Sequence, residues 1–419
     1  MTKICIKNVA VFDSEAILKP GNVIFTRSAG NVQNYMADGS DAETADFVVD
    51  GRGCTLLPGL IDVCVNIKGA NAALGIFASY GITTVIDTSS STQQCQTMHV
   101  YAASKMRLPT VFTCGTEAVA AGDYQPQLYN GSERSVVRTR EDAVAFVSAR
   151  ASGPDCADFI NVAVDLHSFD DETLKTIVDA AHTHGKLTIA RTAGIQCYER
   201  ALVAGFDVFV HAPLDAPINE IMACKMSSEN KIFVPTLAMM RRLAPAIDSR
   251  DTTATSTRTQ GRPDGVNPAD NDVDGAGHDD TLVDPGSVEH SNSGATSSST
   301  YDNAMKSVRT LHNAGVTICA GTTANLVPGS QIPFGESLHE ELRLLVEAGM
   351  PALDVLRSAT CVAAKSFRFG DRGMVRGGLR ADLVLVDGNP QEDISVISKI
   401  KRIWIRGEEV DPFIVAHAV

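Results

Sequence analysis

Long apolar runs are missing from this 419-residue chain. None approaches the roughly 20 residues of a membrane-spanning helix. The opening MTKICIKNVAVFDSEAILKP alternates as a strand does and lacks the unbroken apolar stretch of a signal peptide. Positive charge is short as well: 36 Lys and Arg stand against 50 Asp and Glu, a net charge of -14. That balance argues against nucleic acid or an anionic membrane surface as partner. Close cysteine pairs are also absent. Ten cysteines are scattered without zinc-site spacing, and Cys5, Cys54, Cys319 and Cys361 lie in or beside apolar runs, where a thiol behaves as a small hydrophobe. These features point to a reduced, cytoplasmic protein without structural disulfides.

Apolar residues make up 44% of the chain, enough for a sizeable core, and a barrel of about 250 residues fits within its length. From Gly59 onward, β-branched runs such as GITTVIDTS (81–89) and DFINVAVDL (158–166) alternate with helix-like stretches. Among the latter are EDAVAFVSARAS (141–152) and DDETLKTIVDAAHTHG (170–185), the second opened by Asp170 and closed by Gly185. Strand and helix repeated about eight times imply a parallel, closed (β/α)8 barrel of the TIM type over 56–373. The ends, 1–55 and 374–419, read instead as strands with turns and predict a small composite β-sandwich. From Asp248 to Thr300 the chain is rich in Ser, Thr, Asp, Gly and Asn. The expectation there is a disordered insert after strand 7, on the catalytic face, acting as a tolerated insertion or a mobile cover.

One stretch frames the functional question. LLPGLIDVCVNIKG (56–69) runs from a Pro-Gly turn through Asp62 to Cys64 and Asn66, which share a strand face. Together with GITTVIDTS, SLHEELRLLVEAGMPALDVLRSATCVAAKSF and DRGMVRGGLRADLVLVDGNPQEDI, it resembles amidohydrolases of the imidazolonepropionase-like group. The resemblance implies hydrolysis of C–N bonds in amides by water activated on one or two divalent metals. It also implies where the ligands would stand. The strand 1 His-x-His pair falls on Cys64 and Asn66, and the strand 4 bridging lysine on Asn161. The strand 5 histidine falls on Arg191, the strand 6 histidine on His211, and the strand 8 aspartate on Thr323. Only His211 keeps the implied residue type. A guanidinium has no lone pair to offer a metal, and Cys64 with His211 supplies only two donors. The expectation is therefore no metal and no cofactor.

The remaining side chains suggest other chemistry. Arg191, at a strand end with few obvious anionic partners, reads as a clamp for an anionic small-molecule substrate. His211 and Cys64 read as the catalytic candidates, with the thiol made reactive by the nearby cation. Asn66, Asn161 and Thr323 read as substrate-binding positions. His182 and His184 are expected at a solvent-facing helix end, and His339 as structural support near the pocket mouth. Asp165 and His167 follow strand 4 toward the catalytic face. Three classes stay open: a metal-independent lyase, isomerase or cyclase; a binding or regulatory pseudoenzyme; and a residual hydrolase with unusual ligation. A homo-oligomer is compatible with all three.

Overall fold

The computed structural model describes residues 2–27, 31–36, 45–121, 136–153, 156–165, 169–192, 194–256, 300–328 and 331–410. Barrel strands 1 to 8 are Leu60–Val65, Ile82–Asp87, Thr110–Thr113, Ile160–Val164, Thr188–Thr192, Val208–Val210, Ile232–Val234 and Thr317–Ile318. Strands 1 to 3 pair in parallel, as do strands 4 to 8. Two seams join these groups. Ala163 N donates to Ala118 O at 2.9 Å, just past strand 3, and Asn66 N donates to Ala324 O at 2.8 Å, just past strand 8. The ring is closed, so the barrel has no open sheet edge.

The sequence pattern explains the strands. Strand 2, ITTVID, is buried at every position, as strands of a sheet covered on both faces must be. The interior is packed by Ile61, Val63, Ile86, Phe159, Val208, Val234 and Cys319, with Phe367 and Phe369 in the same cluster. Outer helices obey their own period. Asp171–Thr183 buries Leu174, Ile177, Val178 and Ala181 along one face. Its N-cap, Asp170, accepts from Thr173 N at 2.6 Å, a bond of a kind that contributes about 1 kcal/mol. The chain leaves this helix through Gly185 at φ +68°, a conformation that suits glycine.

Both chain ends share the second domain, a β-sandwich. Strands Lys3–Phe12, Ile17–Thr26, Val32–Met36, Phe47–Asp50 and Cys54–Pro58 join Leu383–Asp387, Ile400–Ile405 and Glu408–Val410. Antiparallel pairing of Cys54–Pro58 with Leu383–Asp387 ties the two ends together. Its core includes Phe25 and Trp404, whose rings meet edge to face at 5.4 Å. Gly59 makes the passage into the barrel, because a Cβ there would come within 2.2 Å of Thr83 Oγ1.

After strand 7 the chain forms a helix, Leu237–Ser256. The stretch expected to resist folding therefore begins as backbone helix over 248–256, since extending a helix costs less than nucleating one. Residues 257–299 lie outside the described residues. No helix among the described residues is long and apolar enough to cross a membrane.

Candidate functional site

A cavity of about 450 Å³ opens where the barrel strands end. All six positions singled out from the sequence line it: Cys64, Asn66, Asn161, Arg191, His211 and Thr323. Strand alternation accounts for much of this convergence. Ile189 and Arg191, two apart on strand 5, both reach the cavity, as do Cys64 and Asn66. Strand 8 must come close to Cys64 for Thr323 to join them. A Cβ on Gly321 would lie 2.6 Å from Val234 Cγ1 and 3.0 Å from Cys64 Cβ, so glycine is what permits the approach.

The floor is a network of neutral groups. Cys64 Sγ lies 3.8 Å from each of the hydroxyls of Thr88 and Thr323. Thr88 Oγ1 donates to Asn66 Oδ1 at 2.9 Å, and Asn161 Nδ2 donates to the Thr88 carbonyl at 2.9 Å. The second bond fixes the amide's orientation and leaves Asn161 Oδ1 buried without a partner. His211 Nδ1 sits 2.8 Å from Thr236 Oγ1, while the His211 carbonyl accepts from the Tyr198 hydroxyl. Burial, with the Arg191 charge adding to it, brings the imidazole down to about 3, so His211 is neutral at pH 7.

Two expectations need correction here. Cys64 is not activated: burial first, then the Asp62 carboxyl, pushes its thiol up to about 12. Nor does Arg191 lack an anionic partner. Its Nε donates to Glu117 Oε1 at 2.8 Å, with the Glu117 side chain 9% exposed and that of Arg191 29%. Glu117 comes from the loop after strand 3 and was not apparent from the sequence, because 74 residues separate it from Arg191.

Other features of the cavity were equally hidden. Met239, Met240, Leu243 and Ile247 of the helix after strand 7 give it an apolar wall. Asp215 lines it as well, but its carboxylate accepts from Ile195 N, at the start of the helix Ile195–Ala204. His339 does not line the cavity. It is buried, with Nε2 3.0 Å from the Tyr80 carbonyl, and burial brings it down to about 4. His182 and His184 are exposed, and His182 pairs with Asp207 at 2.9 Å. The Asp165 carbonyl accepts from Arg200 at 2.6 Å, and His167 lies outside the described residues.

The side chains present do not fit a divalent metal. Of the six implied ligand positions, only His211 and Cys64 carry the nitrogen and sulfur donors of a zinc-type site; Asn66, Asn161 and Thr323 offer only neutral oxygens. A guanidinium stands among them. Among the described residues, no three His, Cys, Asp or Glu side chains gather as a metal-holding group.

A parallel barrel with its cavity at the C-terminal strand ends is thus joined to a sandwich built from both chain ends. The chain belongs to the amidohydrolase family, whose model matches residues 55–410. Similar solved structures span nearly its full length. A Xaa-Pro dipeptidase with bound methionine in its active site is 20% identical at a TM-score of 0.76, covering 97% of this chain and 99% of that one. Molinate hydrolase is 17% identical at 0.73, covering 98% and 95%, and A. niger ochratoxinase is 16% identical at 0.73, covering 97% and 95%. At such identities the likeness concerns the fold. No curated protein matches the sequence.

Proposed function

We propose that the barrel cavity binds a small organic molecule, and that this chain does not perform the metal-dependent C–N hydrolysis implied by its family resemblance. One observation carries this. The strand 5 ligand position is occupied by Arg191, a cation held in place by Glu117 on the wall of the same cavity. A divalent ion there would find a guanidinium with no lone pair in place of a donor, its charge already balanced by Glu117, and too few ligands around it.

The binding or regulatory reading is better supported than a lyase or isomerase working through Cys64 and His211. A thiol near 12 is not a nucleophile at neutral pH, and an imidazole near 3 is a weak base. Asp62, raised to about 7 by burial, has both oxygens occupied beneath the floor.

The test is metal content together with stability. Protein purified without added metal should hold well under one equivalent of zinc, manganese or iron by plasma mass spectrometry. EDTA should leave its melting temperature unchanged, while some members of a small-metabolite library should raise it. Stoichiometric zinc whose removal lowers the melting temperature would overturn the proposal.

A further inference from the structure

We infer that Glu117 makes this cavity select an uncharged ligand over an anionic one of the same shape, the favoured ligand having an apolar body and a head group that donates an N–H or O–H. This rests on the small-molecule-binding reading above and adds the chemistry of the ligand. The starting point is charge. An arginine at the end of a barrel strand invites an anion, but Glu117 already occupies its Nε at 2.8 Å from a nearly buried position. An anionic head bound beside Arg191 would also meet that carboxylate on the same wall, and the repulsion offsets what the guanidinium offers. The other charges lining the cavity are less sheltered: Lys68 is partly exposed and Asp215 is exposed. Water screens both.

The floor points the same way. Cys64, Asn66, Thr88, Asn161, His211 and Thr323 are all uncharged at neutral pH and all line the cavity. Asn161 Oδ1 is an acceptor without a partner, closed to solvent as the cavity stands, and a carboxylate oxygen brought against it would be opposed. Met239, Met240, Leu243 and Ile247 of the helix after strand 7 offer an apolar, partly flexible surface for the body of the ligand. An uncharged amphiphile matches both walls.

The test uses matched primary amides and carboxylates, from butanamide and butanoate to phenylacetamide and phenylacetate. Binding to the full chain is measured by calorimetry at pH 7 in buffer with EDTA. The expected result is that amides bind about tenfold or more tighter than their carboxylates, which is about 1.4 kcal/mol. In Glu117→Gln, which keeps an acceptor for Arg191 but removes the opposing charge, the carboxylates should gain about tenfold. Carboxylates binding wild type more tightly than amides, or showing no gain with Glu117→Gln, would overturn the inference while leaving the binding reading intact. If no member of either series binds wild type, the binding reading itself falls, and this inference with it. Should Glu117→Gln not fold, the wild-type comparison decides alone.

Discussion

The carboxylates beneath the cavity and the carboxylate on its wall keep different company. Asp62, Asp87 and Glu341 are fully buried and are met by backbone N–H groups. Asp62 accepts from Cys64 N and Thr322 N, Asp87 from Ile67, Ser89 and Ser90, and Glu341 from Leu237 N and Ala238 N. Glu117 instead meets the side chain of Arg191, on the cavity surface. The first group ties strand 1 to strand 8, the strand 1 and 2 loops to each other, and the helix after strand 7 to the barrel. The second sets the charge that a ligand encounters. The frame holds buried acids, while the lining carries mostly neutral residues and the Arg191–Glu117 pair, with Lys68 and Asp215 less sheltered, so the chemistry that shapes the cavity is separable from the chemistry that fills it.

The sharpest way to break that comparison is to remove an acid from the frame. Asp62→Ala would strand the N–H groups of Cys64 and Thr322 and the Thr322 hydroxyl, which donates to Asp62 at 2.7 Å. At about 1 to 3 kcal/mol for each buried group left unpaired, the loss should be about 3 kcal/mol or more in urea unfolding. Cys64→Ala, whose sulfur meets two hydroxyls at 3.8 Å, should cost on the order of 1 kcal/mol. Equal costs would mean that frame and lining are not distinct.

A smaller effect is expected on the wall. Arg191→Met removes the partner of a nearly buried carboxylate, so stability should fall, by about 1 to 3 kcal/mol given that the arginine is partly exposed. An isolated arginine clamp would predict little change or even a gain; Glu117 reverses the sign. The double variant E117Q/R191M should recover most of the loss, because no unpaired charge remains. A double variant no more stable than Arg191→Met alone would show that packing of the arginine stem, not the ion pair, is what counts.

What the sequence revealed and what it hid follow the same division. Barrel strands, the helix Asp171–Thr183 and the composite sheet were legible because burial imposes period and composition along the chain. The six cavity positions were legible through motif frames at known strand ends, and they do converge. Their partners were not. The pairing of Arg191 with Glu117 spans 74 residues, and Glu341 reaches Leu237 and Ala238 across more than 100. Such contacts depend on how strands and helices stack, which no local pattern encodes. The state of Cys64 was misjudged for the same reason: a nearby cation lowers a thiol, but full burial and Asp62 outweigh it.

The subtlest contrast concerns protons. Glu341 lies at the start of the helix Leu237–Ser256, where two N–H groups and the helix dipole favour its carboxylate. Burial opposes them and wins, raising the group from the ordinary glutamate range to about 8, with Asp62 and Glu340 adding repulsion. A folded-state value above the unfolded one means that the folded protein holds the proton more tightly. The stability this contributes is complete below about 4.5 and is lost as pH rises through about 8. Its slope is at most about 1.4 kcal/mol per pH unit, the equivalent of one proton. Buried His339, brought down to about 4, acts in the opposite sense: its contribution is present above about 6.5 and is lost as pH falls through about 4. Between pH 6.5 and 8 the Glu341 slope should therefore stand clear of this histidine. Glu341→Gln cannot accept from both N–H groups and should be less stable throughout, yet its stability should decline less steeply than wild type over that window. Chemical unfolding at half-unit pH intervals measures both curves. Parallel curves would mean that the helix terminus keeps Glu341 ionised, and the distinction between the two kinds of carboxylate would reduce to the identity of their donors.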